Sequence, residues 1–347
     1  MAIIAPDIGI DLGTSKTLVY VRKKGVVIDE PTILVMDRGG RPAVRAIGDE
    51  AQDLLGRTAG DVVAVRPLSE GMIRDFDMTR YMLQYFVRKA IGASRLVKPR
   101  AVMTIPCRVT PIERRAVRQA AVYAGVRPTH LHLVEKPFAA ALGCGLPVFQ
   151  PVGSMVVDIG GGTTEVAVIS LGGVVVSRSI RIGGIKMDEA IAAYVKSEFN
   201  MLIGDRTAED VKLNLGSALP SKENRECLVR GRDMITNLPR TASLSSDAVY
   251  RALKAPCEAI LSAIQFVLER TPPELAGDVL RSGIHLTGGA AQLLGMDQYI
   301  ASELDMPVLL AKEPTACAAQ GVGQLTENIE LLHRIGKSSF LREEGEE

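Results

Sequence analysis

The sequence predicts an α/β fold built from two similar halves, and three observations carry that prediction. Short β-branched runs alternate with stretches of helical period, a glycine-rich turn joins two predicted strands near residue 13, and the same layout returns near residue 160. The first half opens with strands over Ile8 to Ile10, Thr17 to Arg22 and Val26 to Ile28, the first two flanking the turn Asp11-Leu12-Gly13-Thr14. Residues Ile112 to Ala124 carry apolar or small side chains at Ile112, Ala116, Val117, Ala120 and Ala124 and stop at Gly125, the pattern of an amphipathic helix with a glycine C-cap. Strands over Val102 to Ile105 and Leu131 to Val134 flank that helix and complete a β-α-β unit.

The second half begins at Ser154. Strands over Met155 to Val157 and Glu165 to Ser170 flank the turn Asp158-Ile159-Gly160-Gly161-Gly162-Thr163, and a third strand follows over Gly173 to Ser177. The two turns share an Asp, an apolar residue, Gly and Thr in the same order about 147 positions apart, which reads as an internal duplication. A helix over Met187 to Phe199 places Met187, Ile191, Tyr194 and Val195 on one face, and one over Ala255 to Leu268 does likewise with Ile260, Ile264 and Val267 or Leu268. The charged end, residues 342–347, is expected to stay disordered.

Bulk properties narrow the class. The 347 residues suffice for two domains, and 47% hydrophobic residues can fill sizeable cores. Five dispersed cysteines, odd in number and never spaced C-x-x-C, argue against a disulfide framework or zinc site and suit a reducing cytoplasm. With 41 basic and 40 acidic residues, the net field gives no reason to expect nucleic acid as partner. Asp7 and Asp11 interrupt the apolar start before a signal peptide could form, and no run approaches the ~18 apolar residues that cross a bilayer, so membrane contact is expected to be peripheral.

A polyphosphate needs backbone N–H donors at close range, which glycine permits because it lacks Cβ, and hydroxyl side chains add further donors. Gly13, Thr14, Ser15 and Lys16 supply one such loop; Gly160, Gly161, Gly162, Thr163 and Thr164 supply another, so the pair could clamp a phosphate chain from two sides. The Asp before each loop, Asp11 and Asp158, would hold Mg²⁺ through waters, since Mg²⁺ dehydrates reluctantly. One such turn is ordinary hairpin chemistry, whereas two at matched places are harder to explain that way. Leu286-Thr287-Gly288-Gly289-Ala290-Ala291 reads as an apolar strand, a Gly-Gly turn and a helix start suited to a flat base and ribose. Glu209 and Lys212, on either side of Asp210 and Val211, lie one helical turn apart; they could bracket a ribose or form a surface ion pair. His130 and His132 read as solvent-side strand residues rather than metal ligands.

These motifs resemble, in order, the phosphate-one, phosphate-two and adenosine motifs of the actin, Hsp70 and sugar-kinase superfamily. Leu55-Gly56-Arg57-Thr58, Ala64-Val65-Arg66-Pro67-Leu68, Asp75-Phe76-Asp77, the run from Gly183 to Ile191 and the run from Leu202 to Glu209 are similar to the MreB/Mbl branch of bacterial actin-like cell-shape proteins. The resemblance spans Ile8 to Gly336. It implies an actin-like ATPase fold, with two lobes that each hold a ribonuclease-H-like mixed five-stranded sheet, plus two small subdomains. Residues 1–31, 68–144 and the closing helices 312–340 would form the first large subdomain, with 32–67 as its small one; residues 145–183 and 255–311 would form the second, with 184–254 as its small one; residues 341–347 would be an acidic tail.

The resemblance also implies ATP and Mg²⁺ in the cleft between lobes, with Gly288, Gly289, Ala290, Glu209, Asp210 and Lys212 around the nucleoside, and Glu135 and Asp158 as catalytic candidates. It implies head-to-tail self-assembly into filaments, a cytoplasmic protein held peripherally on the inner membrane face, and membrane proteins of cell-wall synthesis as partners. The candidate membrane loop is Arg95-Leu96-Val97-Lys98-Pro99-Arg100, whose two apolar residues would enter the acyl boundary while its cations meet headgroups. The chain departs from the family pattern at Val134-Glu135-Lys136-Pro137, where Lys136 stands for the second acid of a Glu-Glu-Pro segment. An ammonium cannot accept a proton from water, so tight ATP binding with slow turnover is expected unless Glu135 takes over. Lys16, where relatives usually carry Asn, would favour phosphate. A non-polymerising ATP-binding regulator of envelope assembly is the main alternative. A sugar kinase or a chaperone would need a sugar-binding insertion or a peptide-binding domain that the chain does not show.

Overall fold

A computed structural model describes residues 6–37, 43–54, 62–92, 98–220, 223–335 and the strand Phe340–Leu341. Strands Ile8–Leu12, Lys16–Val21 and Gly25–Pro31 form an antiparallel meander, and Ala101–Ile105 and then Leu131–Glu135 continue the sheet in parallel from the edge of Ile8–Leu12. Ser154–Ile159, Thr164–Ser170 and Gly173–Ile180 repeat the meander, and Ile284–Thr287 and Val308–Leu310 repeat the parallel extension. Taken in chain order, both sheets read third, second, first, fourth, fifth strand, so the duplicated turns sit on duplicated topology. The first sheet carries a sixth strand, Phe340–Leu341, antiparallel to Leu131–Glu135, which the five-strand expectation did not include. Two three-stranded sheets, Leu34–Asp37 with Val44–Ile47 and Val62–Val65, and Met201–Leu202 with Glu226–Asp233 and Pro239–Ser245, are separate from these.

The period-2 alternation of the strands decides which face each residue serves. Ile8, Ile10, Leu12, Met103, Ile105, Leu131 and Leu133 point into one core beneath helices Phe76–Ile91 and Pro111–Tyr123. Met155, Val157, Ile159, Val166, Val168, Ile284 and Leu286 do the same in the other lobe, against Gly184–Phe199 and Ser246–Arg270. The intervening residues face the opposite way, where Val102, Val134, Val156, Ala167 and Ile169 enclose the helices Lys136–Gly143 and Cys317–Glu327. Asp11 and Asp158 fall on this inter-lobe face because their neighbours on either side occupy the cores.

The two enclosed helices touch backbone to backbone. A Cβ added at Gly143 would collide with the carbonyl oxygen of Cys317, and one at Gly321 with that of Ala139. Only glycine at these positions lets the helices approach so closely.

Several local expectations need correcting. Ile112 is 81% exposed, whereas Ala120 and Ala124 are buried as expected and Ala121 joins them; a capping box of Thr110 and Glu113 starts the helix at Pro111. The helix expected from Ala255 begins at Ser246 with Ser245 as N-cap, because the helix tolerates Pro256 inside it. The Gly-Gly segment leads into a short 3₁₀ turn, Gly289–Gln292. Leu55-Gly56-Arg57-Thr58, the loop residues Arg95, Leu96 and Val97, and the tail 342–347 lie outside the described residues.

Candidate functional site

Both glycine-rich turns close with the same hydrogen bond. The Gly13 amide donates to the Lys16 carbonyl at 3.1 Å, and the Gly160 amide to the Thr163 carbonyl at 2.9 Å. The two loops meet across the inter-lobe cleft: a Cβ on Gly161 would stand 2.5 Å from Ser15 Cβ, and one on Gly162 2.5 Å from Thr14 Oγ1. Gly161 and Gly162 are therefore what allows the two hairpins to face each other. Gly184 and Ile185, at the start of Gly184–Phe199, donate to the carbonyls of Gly160 and Gly161 at 2.9 Å each.

Behind the loops the carboxylates are matched. Thr104 Oγ1 donates to Asp11 Oδ1 at 2.7 Å, and Thr287 Oγ1 donates to Asp158 Oδ1 at 2.9 Å, each threonine coming from the parallel neighbour strand. Lys136 Nζ lies between them, 3.5 Å from Asp11 Oδ2 and 3.4 Å from Asp158 Oδ2. Burial pulls the Lys136 ammonium toward neutrality, but Asp11 and Asp158 outweigh it and hold its pKa above the ordinary lysine value. The two carboxylates are 4% and 3% exposed.

The residues therefore do not fit the expected Mg²⁺ site: the cleft-facing oxygen of each Asp already faces an internal cation. Lys136, which stands where the family pattern has an acid, pairs with the two aspartates.

Glu135 ends its strand and precedes Lys136 without capping the helix through its side chain. Burial raises its carboxyl to about 7, nearby Glu165 adds to the effect, and Arg114 and Arg108 oppose it. Glu165 is fully buried on the register partner of Asp158; it accepts from Cys107 N–H at 2.9 Å and from Ser179 Oγ at 2.6 Å. Because Cys107 belongs to the first lobe, this carboxylate links the two lobes.

Other expected residues sit less directly. Lys16 Nζ pairs with Asp29 at 3.0 Å along its own sheet, both half-exposed, so its charge is directed away from the loop. Lys212 does not pair with Glu209: its ammonium binds Asp188 at 2.7 Å and donates to the Gly184 carbonyl at 3.1 Å, while Glu209 and Asp210 are exposed on helix Asp205–Leu215. Gly288, at φ +86°, packs its Cα against the Ile159 backbone, and Ala290 lies beside Gly184, so the adenosine-like segment adjoins the second loop. Among the described residues no cluster of three or more His, Cys, Asp and Glu could hold a metal, and all five cysteines are free thiols.

Sequence reasoning missed Thr104, Glu165 and Gly71. The first two are polar residues inside apolar strands, a signal that could have found them. Gly71 closes a tight turn with Glu70, both at positive φ, between strands Leu68–Ser69 and Met72–Ile73. Its amide donates to Thr14 Oγ1 at 2.9 Å and it approaches Thr163, so one turn covers both loops.

A family model described as MreB/Mbl protein matches residues 5–334. The chain belongs to this family. It is 46% identical to the cell shape-determining protein MreB of Escherichia coli strain K12, over 94% of each chain. Against the cell shape-determining protein Mbl of Bacillus subtilis strain 168 it is 45% identical, over 94% of this chain and 98% of that protein. The crystal structure of MreB 5 of Spiroplasma citri bound to AMPPNP superposes with a TM-score of 0.87 at 35% identity, covering 94% of this chain and 97% of that one. The ADP-bound form of the Spiroplasma protein aligns equally well, also at 0.87. The fold of this family member is therefore the actin-like α/β fold.

Proposed function

We propose that this MreB/Mbl family member binds ATP in the cleft between its lobes and polymerises head to tail into cytoskeletal filaments on the inner membrane face, where they organise cell shape and peptidoglycan synthesis. The observation that carries the reading is the meeting of two glycine loops across the cleft, Gly161 against Ser15 and Gly162 against Thr14, with the Gly288 segment alongside. The AMPPNP and ADP bound by the Spiroplasma relative support an adenine nucleotide as the ligand. Gly13, Thr14, Ser15, Gly160, Gly161, Gly162 and Thr163 would hold the phosphates, and Gly288, Gly289 and Ala290 the nucleoside.

Hydrolysis is proposed to be slow. Lys136 holds the place where the family pattern has an acid, leaving Glu135, with a pKa of about 7, as the residue able to take a proton at neutral pH.

Self-assembly is supported by family membership and by an apolar hairpin tip at the end of the second small sheet, where Ile235 is 79% and Leu238 64% exposed. A heterologous contact that does not close on itself would extend such subunits into a filament. No helix among the described residues is long and apolar enough to cross a membrane, so attachment would be through a surface segment, and residues 95–98 remain the proposed one.

Electron microscopy of the purified protein with ATP on anionic lipid monolayers tests the reading. Paired protofilaments are expected. Their absence from protein that binds ATP would overturn polymerisation and leave a nucleotide-binding regulator.

A further inference from the structure

We infer that Lys136 takes the place of the divalent cation in this cleft, so that the protein binds ATP without Mg²⁺. The inference rests on the nucleotide reading above and extends it to the form of the ligand. Four observations carry it. Asp11 and Asp158 each spend one oxygen on a threonine hydroxyl, Thr104 at 2.7 Å and Thr287 at 2.9 Å, which fixes the carboxylate planes. The remaining oxygen of each faces Lys136 Nζ, at 3.5 and 3.4 Å. Lys136 is the first residue of the helix Lys136–Gly143, and its Pro137 to Leu142 segment is wholly buried between the two sheets, so the ammonium is delivered from a rigid base. Gly13 places the first loop beside this ammonium: a Cβ built there would stand 4.0 Å from Nζ, ordinary contact distance.

The chemistry follows from the donor count. A lysine ammonium has three N–H donors and accepts nothing. At 3.5 and 3.4 Å the ammonium forms ion pairs with Asp11 and Asp158, and Asp158 Oδ2 has no hydrogen-bond partner, so its N–H groups can turn toward a phosphate oxygen between the loops. A hydrated Mg²⁺ would be held through the outward oxygens of these same two carboxylates, and that position is the one the ammonium occupies. The ammonium thus takes the position of the hydrated ion between the aspartates and the polyphosphate, and the species bound is free ATP rather than its magnesium complex.

The test is a titration of the full-length protein with a fluorescent ATP analogue, in excess MgCl₂ and in excess EDTA. The melting temperature is followed in both conditions as a second readout of binding. For the wild type the two dissociation constants should agree within about threefold. Lys136→Glu, which restores an acid and removes the ammonium, should bind at least about tenfold more weakly in EDTA than in magnesium. Lys136→Met, which keeps the apolar stem, covers the case in which the glutamate variant fails to fold, and should show the same acquired dependence.

A wild type that loses about tenfold or more of its affinity in EDTA overturns the inference while leaving the nucleotide reading intact. Wild-type protein that melts cooperatively yet binds no adenine nucleotide in either condition overturns both.

Discussion

At the residue scale, the cleft concentrates its unusual electrostatics in two adjacent positions. Glu135, held near pKa 7 against an ordinary 4.5, keeps its proton in the folded state between those values, where the unfolded chain has already released it. Its contribution to stability is therefore lost as pH rises through that window and is constant above it. Glu135→Gln should flatten this part of the stability–pH profile, which denaturant unfolding between about pH 5 and pH 8 will reveal as a smaller decline than in the wild type. Lys136 bears on turnover. If the ammonium is what slows hydrolysis, Lys136→Glu in magnesium should release phosphate at least about tenfold faster than the wild type. Equal rates in a single-turnover phosphate assay would reject that account.

At the element scale, the two helices between the sheets are the joint of the molecule. Lys136–Gly143 carries Lys136 at its start, and Cys317–Glu327 crosses it at glycine and alanine positions; their shared cluster draws on both sheets. Gly321→Ala would force a Cβ onto the Ala139 carbonyl. The helices would have to move apart, at a cost of about 2–3 kcal/mol, and the cleft geometry set by Lys136 would shift with them. A melting temperature lowered by several degrees, together with weaker nucleotide binding, is the expected result; an unchanged melting curve would mean that the pair is less tightly fixed than this packing indicates.

At the scale of the whole molecule, the proposed membrane loop offers only two apolar residues, Leu96 and Val97, so a single subunit is expected to adhere weakly to a bilayer and a filament to sum many such contacts. Of the cations near the proposed membrane loop, Arg100 is already committed: its Nε donates to Asp7 Oδ1 at 2.7 Å, and Arg22 shares the same carboxylate. Lys98 is exposed. The double substitution Leu96→Ser, Val97→Ser should reduce co-pelleting of assembled protein with anionic liposomes several-fold while leaving assembly in solution unchanged. Undiminished co-pelleting would exclude this loop as the anchor.

Local chemistry made much of this protein legible in its sequence. The Asp-x-Gly-Thr turns, the β-branched runs around them and their repetition after about 147 residues identify two α/β halves, because strand alternation and turn preference are short-range effects. The same reasoning found the loop glycines and both aspartates. It could not give the partners of charged side chains, since these are chosen by elements distant in the chain. Lys16 and Lys212 carry the residue type expected at a nucleotide site, yet one pairs with Asp29 on the next strand and the other with Asp188 on a neighbouring helix. Lys136 was visible as a departure from a pattern. Only the folding of two sheets against one helix pair put its ammonium between Asp11 and Asp158, residues 125 and 22 positions away in sequence. Residue type is written locally; which charge meets which is decided when the lobes close on their shared face.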